Sequence, residues 1–266
     1  MNIIVCVKEV ADPEAPADSF RLDPDHNVLI SSPKILKVLN PFDEQAIEAA
    51  LRIKDKLGAK ITVLSLGKKL DRVVAKKALF MGADELILLE DEAFADGDSW
   101  STAYALSAAI RKIGNYDLVL CGRQAADWNA GQIGSGIAEL LNLSSITLAR
   151  KIEILDGKAK VERVTTNGYE VVDVILPALI TVSNELGQAR YPAIQNIRKA
   201  DKIQPIIWKP IDLGLEPSHI GSKGRRLKLL KLFQPVNEGQ CEIIEGETVQ
   251  EAAENLALTL RKEKIV

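Results

Sequence analysis

Two hydrophobic periods alternate along the first two-thirds of the chain. Short apolar runs rich in β-branched residues recur at Ile3-Ile-Val-Cys-Val7, Lys60-Ile-Thr-Val-Leu-Ser-Leu66, Glu85-Leu-Ile-Leu-Leu89 and Tyr116-Asp-Leu-Val-Leu-Cys121. Runs of this kind, without polar alternation, are expected of strands buried on both faces of a parallel sheet. Between them the apolar positions fall at helical spacing: Ala46, Ile47, Ala50, Leu51 and Leu57, then Leu70 to Met81, then Ser99 to about Ile113. Gly58 and Gly82 stop the first two helices. The first begins at Asn40-Pro41-Phe42-Asp43, where Asn40 is placed to cap, Pro41 suits the first helical position and Asp43 reaches the free amides of the first turn. Strands alternating with helices predict right-handed crossovers and an α/β fold: a mostly parallel sheet with helices on both faces.

After Leu141 the period changes. Residues 146–155, 159–165, 169–176 and 178–183 read as successive strands with turns at Asp156-Gly157 and Asn167-Gly168, and they predict an antiparallel extension of the sheet. From Ile203 the chain is punctuated by Pro205, Pro210, Pro217 and Pro235 and ends in a helix announced by Thr248 with Glu251 three residues later. A stretch this long with little regular structure is unusual inside a compact domain. It reads as a C-terminal arm over residues 203–266, laid on another surface, after an α/β domain over residues 1–202.

Composition narrows the function classes. The 34 basic and 37 acidic residues are balanced, which argues against nucleic acid as a partner. No apolar run reaches roughly the 18 residues of a membrane span, and the N-terminus lacks the basic and apolar regions of a signal peptide. The three cysteines, Cys6, Cys121 and Cys241, are widely spaced and suit free thiols in a reducing cytoplasm. His26 and His219 stand apart in polar surroundings, and neither has a partner at zinc-ligand spacing. No Ser/His/Asp or Cys/His set is visible, so any redox chemistry has to come from a bound cofactor.

The stretch Cys121-Gly-Arg-Gln-Ala-Ala-Asp-Trp-Asn-Ala-Gly-Gln-Ile-Gly-Ser-Gly136 joins a strand to a helix and holds four glycines. In open α/β sheets, ligands bind beyond the carboxyl ends of strands, and a helix start offers free N–H groups to a phosphate. Gly131, Gly134 and Gly136 allow close approach, while Asp127, Asn129 and Gln132 offer polar groups to a ribose or adenine. A nucleotide loop and a plain glycine-rich connection both fit, since neither a Walker lysine nor GxGxxG is present. Residues 184–200 mix Arg190, Tyr191, Ile194 and Ile197 with polar side chains. They fit either a protein interface or a buried connector.

Three stretches, Val5-Cys-Val-Lys-Glu-Val-Ala-Asp12, Asn40-Pro-Phe-Asp43, and Cys121-Gly-Arg-Gln-Ala-Ala-Asp127 with Gly131-Gln-Ile-Gly134, together resemble the β subunit of electron transfer flavoprotein. Arg190-Tyr-Pro with Asn196-Ile-Arg-Lys-Ala200 resembles that family's segment for docking redox partners, and the likeness runs in order to about residue 212. The resemblance implies an adenine nucleotide α-hydrolase-like fold and one half of an α/β heterodimer. Such a heterodimer shuttles electrons between flavin dehydrogenases and a quinone-linked acceptor. FAD would sit at the interface with the α subunit, and this subunit would hold AMP or, in the electron-bifurcating branch, a second FAD. The nucleotide contacts would be Cys6, Asn40, Pro41, Phe42, Asp43, Leu66, Ala125, Ala126, Asp127, Trp128, Asn129, Ala130, Gly131, Gln132, Ile133, Gly134, Ser135 and Gly136. Arg190, Tyr191, Ile194 and Asn196 would serve docking, with Ile194 the side chain offered to the partner. A nucleotide-binding regulatory or stress protein of similar fold is the alternative of another class. A third alternative, an ATP-dependent enzyme of the adenine-nucleotide hydrolase type, would need a glycine-rich loop after the first strand, and Lys8-Glu-Val-Ala-Asp12 supplies none.

Overall fold

A computed structural model describes residues 1–16, 19–23, 28–30, 35–233 and 241–265; His26 and Pro235 lie outside them. The chain runs β1 (Asn2–Val7), β2 (Glu9–Ala11), β3 (Arg21–Asp23), β4 (Val28–Ile30), β5 (Lys37–Leu39), α1 (Pro41–Leu57), β6 (Lys60–Gly67), α2 (Arg72–Met81), β7 (Glu85–Glu90), α3 (Ser99–Ile113), β8 (Leu118–Gly122) and α4 (Ile133–Leu141). It continues through β9 (Ser144–Leu155), β10 (Lys158–Thr165), β11 (Gly168–Ile175), β12 (Ala178–Val182), α5 (Ile194–Ala200), β13 (Ile206–Trp208), α6 (Gly221–Gly224) and α7 (Val249–Lys262). Nine strands form one sheet in the order β11-β10-β9-β12-β8-β1-β6-β7-β13. β1, β6, β7, β8, β12 and β13 all run parallel to their neighbours.

The unbroken apolar runs are buried because both faces of the sheet are covered. Ile3, Val5 and Val7 join the core under α1 and α2, whereas Ile4 and Cys6 join the core under α3 and α4. This is the two-residue period of a strand feeding two layers. Gly58 ends α1 in the left-handed conformation at φ 72°, as its place after the last apolar position predicts. Asp71 and Asp98 cap α2 and α3 with their side chains.

Two expectations need correction. The antiparallel extension is made of β9, β10 and β11 only, because residues 178–182 pair in parallel with both β8 and β9. Every residue of β12 is buried, in contrast with the half-polar β10 and β11. Burying four apolar residues and Thr181 outweighs the local convenience of antiparallel pairing with the preceding strand. β9 changes partner along its length. Leu148 takes φ 60°, and the N–H this turns away donates to Thr181 Oγ1 at 3.1 Å.

The second correction concerns the arm, which begins inside the fold. Ile206–Trp208 adds a parallel strand at the β7 edge, and Leu215 and Ile220 are buried in the α3/α4 core. Asp98 then secures the chain that follows: Oδ1 caps α3 through Ser101 N–H, and Oδ2 accepts the N–H groups of Arg226 and Leu227 at 2.6 and 2.9 Å. The Arg226 guanidinium lies 3.5 Å from the centre of the Trp100 ring. By contrast, no residue of α7 is buried; Thr248 caps it, and the Glu251 carboxylate accepts Glu247 N–H, one residue before the cap.

Partial burial pushes the Asp98 carboxyl up, but its three N–H donors outweigh that and hold it below the ordinary 3.8. A lowered native value gives stability that is present above about pH 4 and lost as the pH falls through the native value. Asp98→Ala removes a cap and two arm contacts together. We expect a loss of about 1–2 kcal/mol in urea unfolding at neutral pH, and faster hydrogen exchange at residues 226–227. An unchanged unfolding midpoint with unchanged exchange there would contradict this role.

Candidate functional site

The chain leaves β1 for its neighbour β6 but returns to β1's other side only through β8. The connections after β1 and β8 therefore diverge at their carboxyl ends and leave a crevice, the position where open α/β sheets bind ligands. Cys6 and Cys121 are register partners at this edge, both buried and both on the α3/α4 side. A hydrogen bond to Cys6, then burial, raises the Cys121 thiol well above its ordinary value, so it is neutral there. Leu66, one residue before the end of β6 at the same edge, packs half-buried against that core.

The α1 start enters the crevice, and its side chains do not act as the sequence suggests. Asn40 makes no side-chain cap bond. Its Nδ2 donates to Gln124 C=O at 2.8 Å, and its Oδ1 accepts Ala126 N–H at 3.0 Å, so it holds the loop after β8 at two points. Asp43 likewise turns away from its own helix. Oδ2 accepts Lys8 N–H at 2.7 Å and Oδ1 accepts Gly122 N–H at 3.1 Å, bridging the ends of β1 and β8. Burial pushes the Asp43 carboxyl up to about 7, against the pull of Lys8 N–H, the Asn40 amide, Gly122 N–H and the Lys8 charge. Phe42 lies under the Arg123 guanidinium, 5.2 Å from its carbon, and Pro41 is exposed.

The four glycines divide by role. A Cβ at Gly122 would lie 2.4 Å from Asp43 Oδ1, and one at Gly134 would lie 2.5 Å from Thr181 Cγ2. These two are glycine because the first turn of α1 and strand β12 press against them. Gly136 faces Ala103 at 3.0 Å, a milder version of the same constraint. Gly131 differs: its φ is 63°, and its nearest neighbour would be Arg123 O at 3.4 Å. Only this one is required for the turn itself. Gln132 stands at the N-cap of α4 without a capping bond, and among the described residues no side chain accepts from the N–H groups of Ile133, Gly134 and Ser135. Ala125 and Ala126 are half-buried; Trp128, Asn129, Ala130, Gln132 and Ser135 are exposed, with Trp128 61% exposed.

The sequence reading missed Lys8. Its ammonium pairs with Asp127 at 2.6 and 2.9 Å, so this carboxylate already has a cation. The one available signal was position, since Lys8 is the first residue past a strand at the ligand edge. Gln124 Nε2 also donates to Asn129 Oδ1 at 2.8 Å. Among the described residues, no group of His, Cys, Asp and Glu is arranged to hold a metal ion. No helix there is long and apolar enough to cross a membrane.

Residues 34–210 match the electron transfer flavoprotein domain, about two-thirds of the chain. The chain belongs to the electron transfer flavoprotein family. It is 40% identical to the electron transfer flavoprotein subunit beta of Thermoanaerobacterium thermosaccharolyticum, covering both chains completely. It is 39% identical, again over all of both chains, to the caffeyl-CoA reductase-Etf complex subunit CarD of Acetobacterium woodii. A more distant relative is protein FixA of Azorhizobium caulinodans, at 35% identity over 88% of this chain and 85% of that one.

A second polar cluster in this electron transfer flavoprotein chain lies on the other side of α1. Arg190 donates to Glu48 through its backbone N–H, Nε and Nη2 at 3.2, 2.8 and 3.2 Å, and Nη2 also reaches Asp55 at 2.9 Å. Asn196 donates to Met81 C=O at 3.3 Å. Arg190 and Asn196 thus face the body of the protein, while Tyr191 and Ile194 are 83% and 71% exposed. The four residues the sequence groups together fall into two anchors and two outward side chains.

Asp43 makes this edge of the sheet sensitive to pH. The folded chain keeps this proton to about pH 7, whereas an unfolded chain gives it up near 3.8. Between those values the folded state binds more protons, so this group's contribution to stability falls as the pH rises. Asp43→Asn should flatten that part of the pH dependence while costing about 1–3 kcal/mol, because an amide cannot accept from both N–H groups. Urea midpoints measured across this range for both proteins test it; parallel pH curves would refute it.

Proposed function

We propose that this chain is the β subunit of a heterodimeric electron transfer flavoprotein, and that an adenine nucleotide occupies the crevice between β1 and β8. The heterodimer would carry electrons from flavin dehydrogenases, such as acyl-CoA dehydrogenases, to an acceptor such as a quinone oxidoreductase. The observation that carries the nucleotide reading is the uncapped start of α4 opening at the sheet's switch point beside Gly131. The full-length likeness to chains named as beta subunits supports the assignment to that subunit.

The residues present fit such a group. The N–H groups of Ile133, Gly134 and Ser135 would receive phosphate, and Gly131 lets the backbone turn toward it. Cys6, Leu66, Asn40 to Asp43 and Ala125 to Gly136 would surround the remainder, with Asn40 keeping the loop in place and Lys8 neutralising Asp127. AMP and FAD share the adenosine monophosphate portion that these residues would recognise. Flavin, when bound, supplies the redox chemistry, and AMP supplies none. This chain's own residues bind, orient and exclude water. The FAD that carries electrons would lie at the interface with the α subunit. The apolar side chains left exposed on the C-terminal arm, among them Leu230, Phe233, Val249 and Leu258, would be covered by that subunit.

Co-expression with an α subunit, followed by denaturation and quantification of released nucleotides, separates the readings. One FAD and one AMP per heterodimer is the expected result. Two FAD would put the second flavin in this subunit and favour the bifurcating class, and one FAD with no AMP would overturn the nucleotide reading of the loop. Docking is tested separately with Ile194→Ala. Removing an exposed apolar anchor of an interface should slow reduction by a dehydrogenase about tenfold, the equivalent of roughly 1.4 kcal/mol, with flavin content unchanged. Equal rates would mean that Ile194 is not the anchor.

A further inference from the structure

We infer that Glu48 is a positioning residue for partner docking: a buried carboxylate on α1 that fixes the segment carrying Tyr191 and Ile194. The inference rests on the docking reading of that segment and adds the residue that holds it in place.

Glu48 is 5% exposed and accepts from four donors. Three belong to Arg190, and the fourth is Arg52 Nε at 2.9 Å. Burial pushes the Glu48 carboxyl up, but the hydrogen bonds from Arg190 and Arg52 overcome it and keep the group ionised. Arg52 extends the network, since its Nη1 donates to Leu186 C=O at 3.0 Å. One carboxylate therefore holds the segment at two places, directly at Arg190 and through Arg52 at Leu186.

Apolar packing holds this segment chiefly near its ends, where Leu186 and Ala200 are buried. Ala200 is the only buried residue of α5. α5 touches α2, and a cavity of about 300 Å³ opens where the two meet α1, lined among others by Leu51, Leu79, Met81, Asn196 and Ile203. A seven-residue helix with one buried residue is marginal alone, and polar ties add direction to its packing. A planar guanidinium bound by two nitrogens fixes direction as well as distance, which a lysine in the same place would not.

Glu48→Gln keeps the size of the side chain but turns an NH₂ toward guanidinium donors, and Arg190→Lys keeps the charge but removes the fork. Both are tested as heterodimers with an acyl-CoA dehydrogenase that reduces the wild-type protein. For each we expect KM for the dehydrogenase to rise about tenfold, the loss of roughly one charge-assisted hydrogen bond. The kcat and the FAD and AMP content should stay at wild-type levels, and hydrogen exchange should quicken in residues 187–200 but not in residues 121–136. An unchanged KM overturns the inference, as does exchange that quickens equally over the whole chain. Ile194→Ala separates this from the docking reading itself. If it raises KM and Glu48→Gln does not, docking stands and positioning fails. If Glu48→Gln raises KM and Ile194→Ala does not, Glu48 positions the segment and a side chain other than Ile194 makes the contact.

Discussion

Two strand ends with nowhere to bond govern the arrangement of this molecule. Where β1 and β8 diverge, the N–H groups of Lys8 and Gly122 leave the sheet ladder beside a partly buried crevice, and an unpaired N–H there costs about 1–3 kcal/mol. Asp43 accepts both. To do so α1 has to start directly over the crevice, and Gly122 has to lack a side chain. With the helix entry pinned in this way, Asn40 faces the neighbouring loop and bonds Gln124 and Ala126 in place of its own first turn. One carboxylate thereby sets the place of a helix, the identity of a glycine and the anchoring of the loop proposed to hold a nucleotide.

The elements were legible where the signal is local. Unbroken apolar runs marked β1, β6, β7 and β8, and left-handed or stop glycines marked the helix ends, because burial on two faces and the absence of a Cβ leave direct traces in composition. Strand neighbours left weaker traces. Residues 178–183 read as the last strand of the antiparallel extension because they follow it in sequence, yet Ala178-Leu-Ile-Thr-Val182 lacks the alternation seen in β10 and β11, and an all-buried run belongs in the middle of a sheet. β13 was missed because three residues between prolines are too few for any period to show. Its place depends on the open edge of β7, which lies more than a hundred residues earlier.

Polar side chains were the hardest to read for the same reason. The types at Asn40, Asp43 and Arg190 suggested a cap, a first-turn carboxylate and a surface anchor. Each instead bonds a segment distant in sequence, and hydrogen-bond partners of that kind are set by topology rather than by spacing. The glycines of the 121–136 loop show it too. Gly131, Gly134 and Gly136 suggest close backbone approach to a ligand, but Gly122 and Gly134 lack a side chain because protein crowds them, and only Gly131 is required by the turn itself.

A nucleotide without chemistry has a physical use in such a place. The outer part of the loop, from Asp127 to Gln132, is exposed and is tied mainly by the Lys8–Asp127 pair and the Gln124–Asn129 bond. An exposed ion pair contributes no more than about 1 kcal/mol. A ligand that binds only the folded loop stabilises it by mass action, by about 2.7 kcal/mol at a hundred times its Kd, which exceeds that pair. α1 then carries the consequence further, since Glu48 lies five residues beyond Asp43, about 8 Å along the helix axis. The crevice and the outward-facing segment are built on opposite parts of one rigid element. A nucleotide bound as proposed would steady the start of α1 and, through it, the base on which Tyr191 and Ile194 stand.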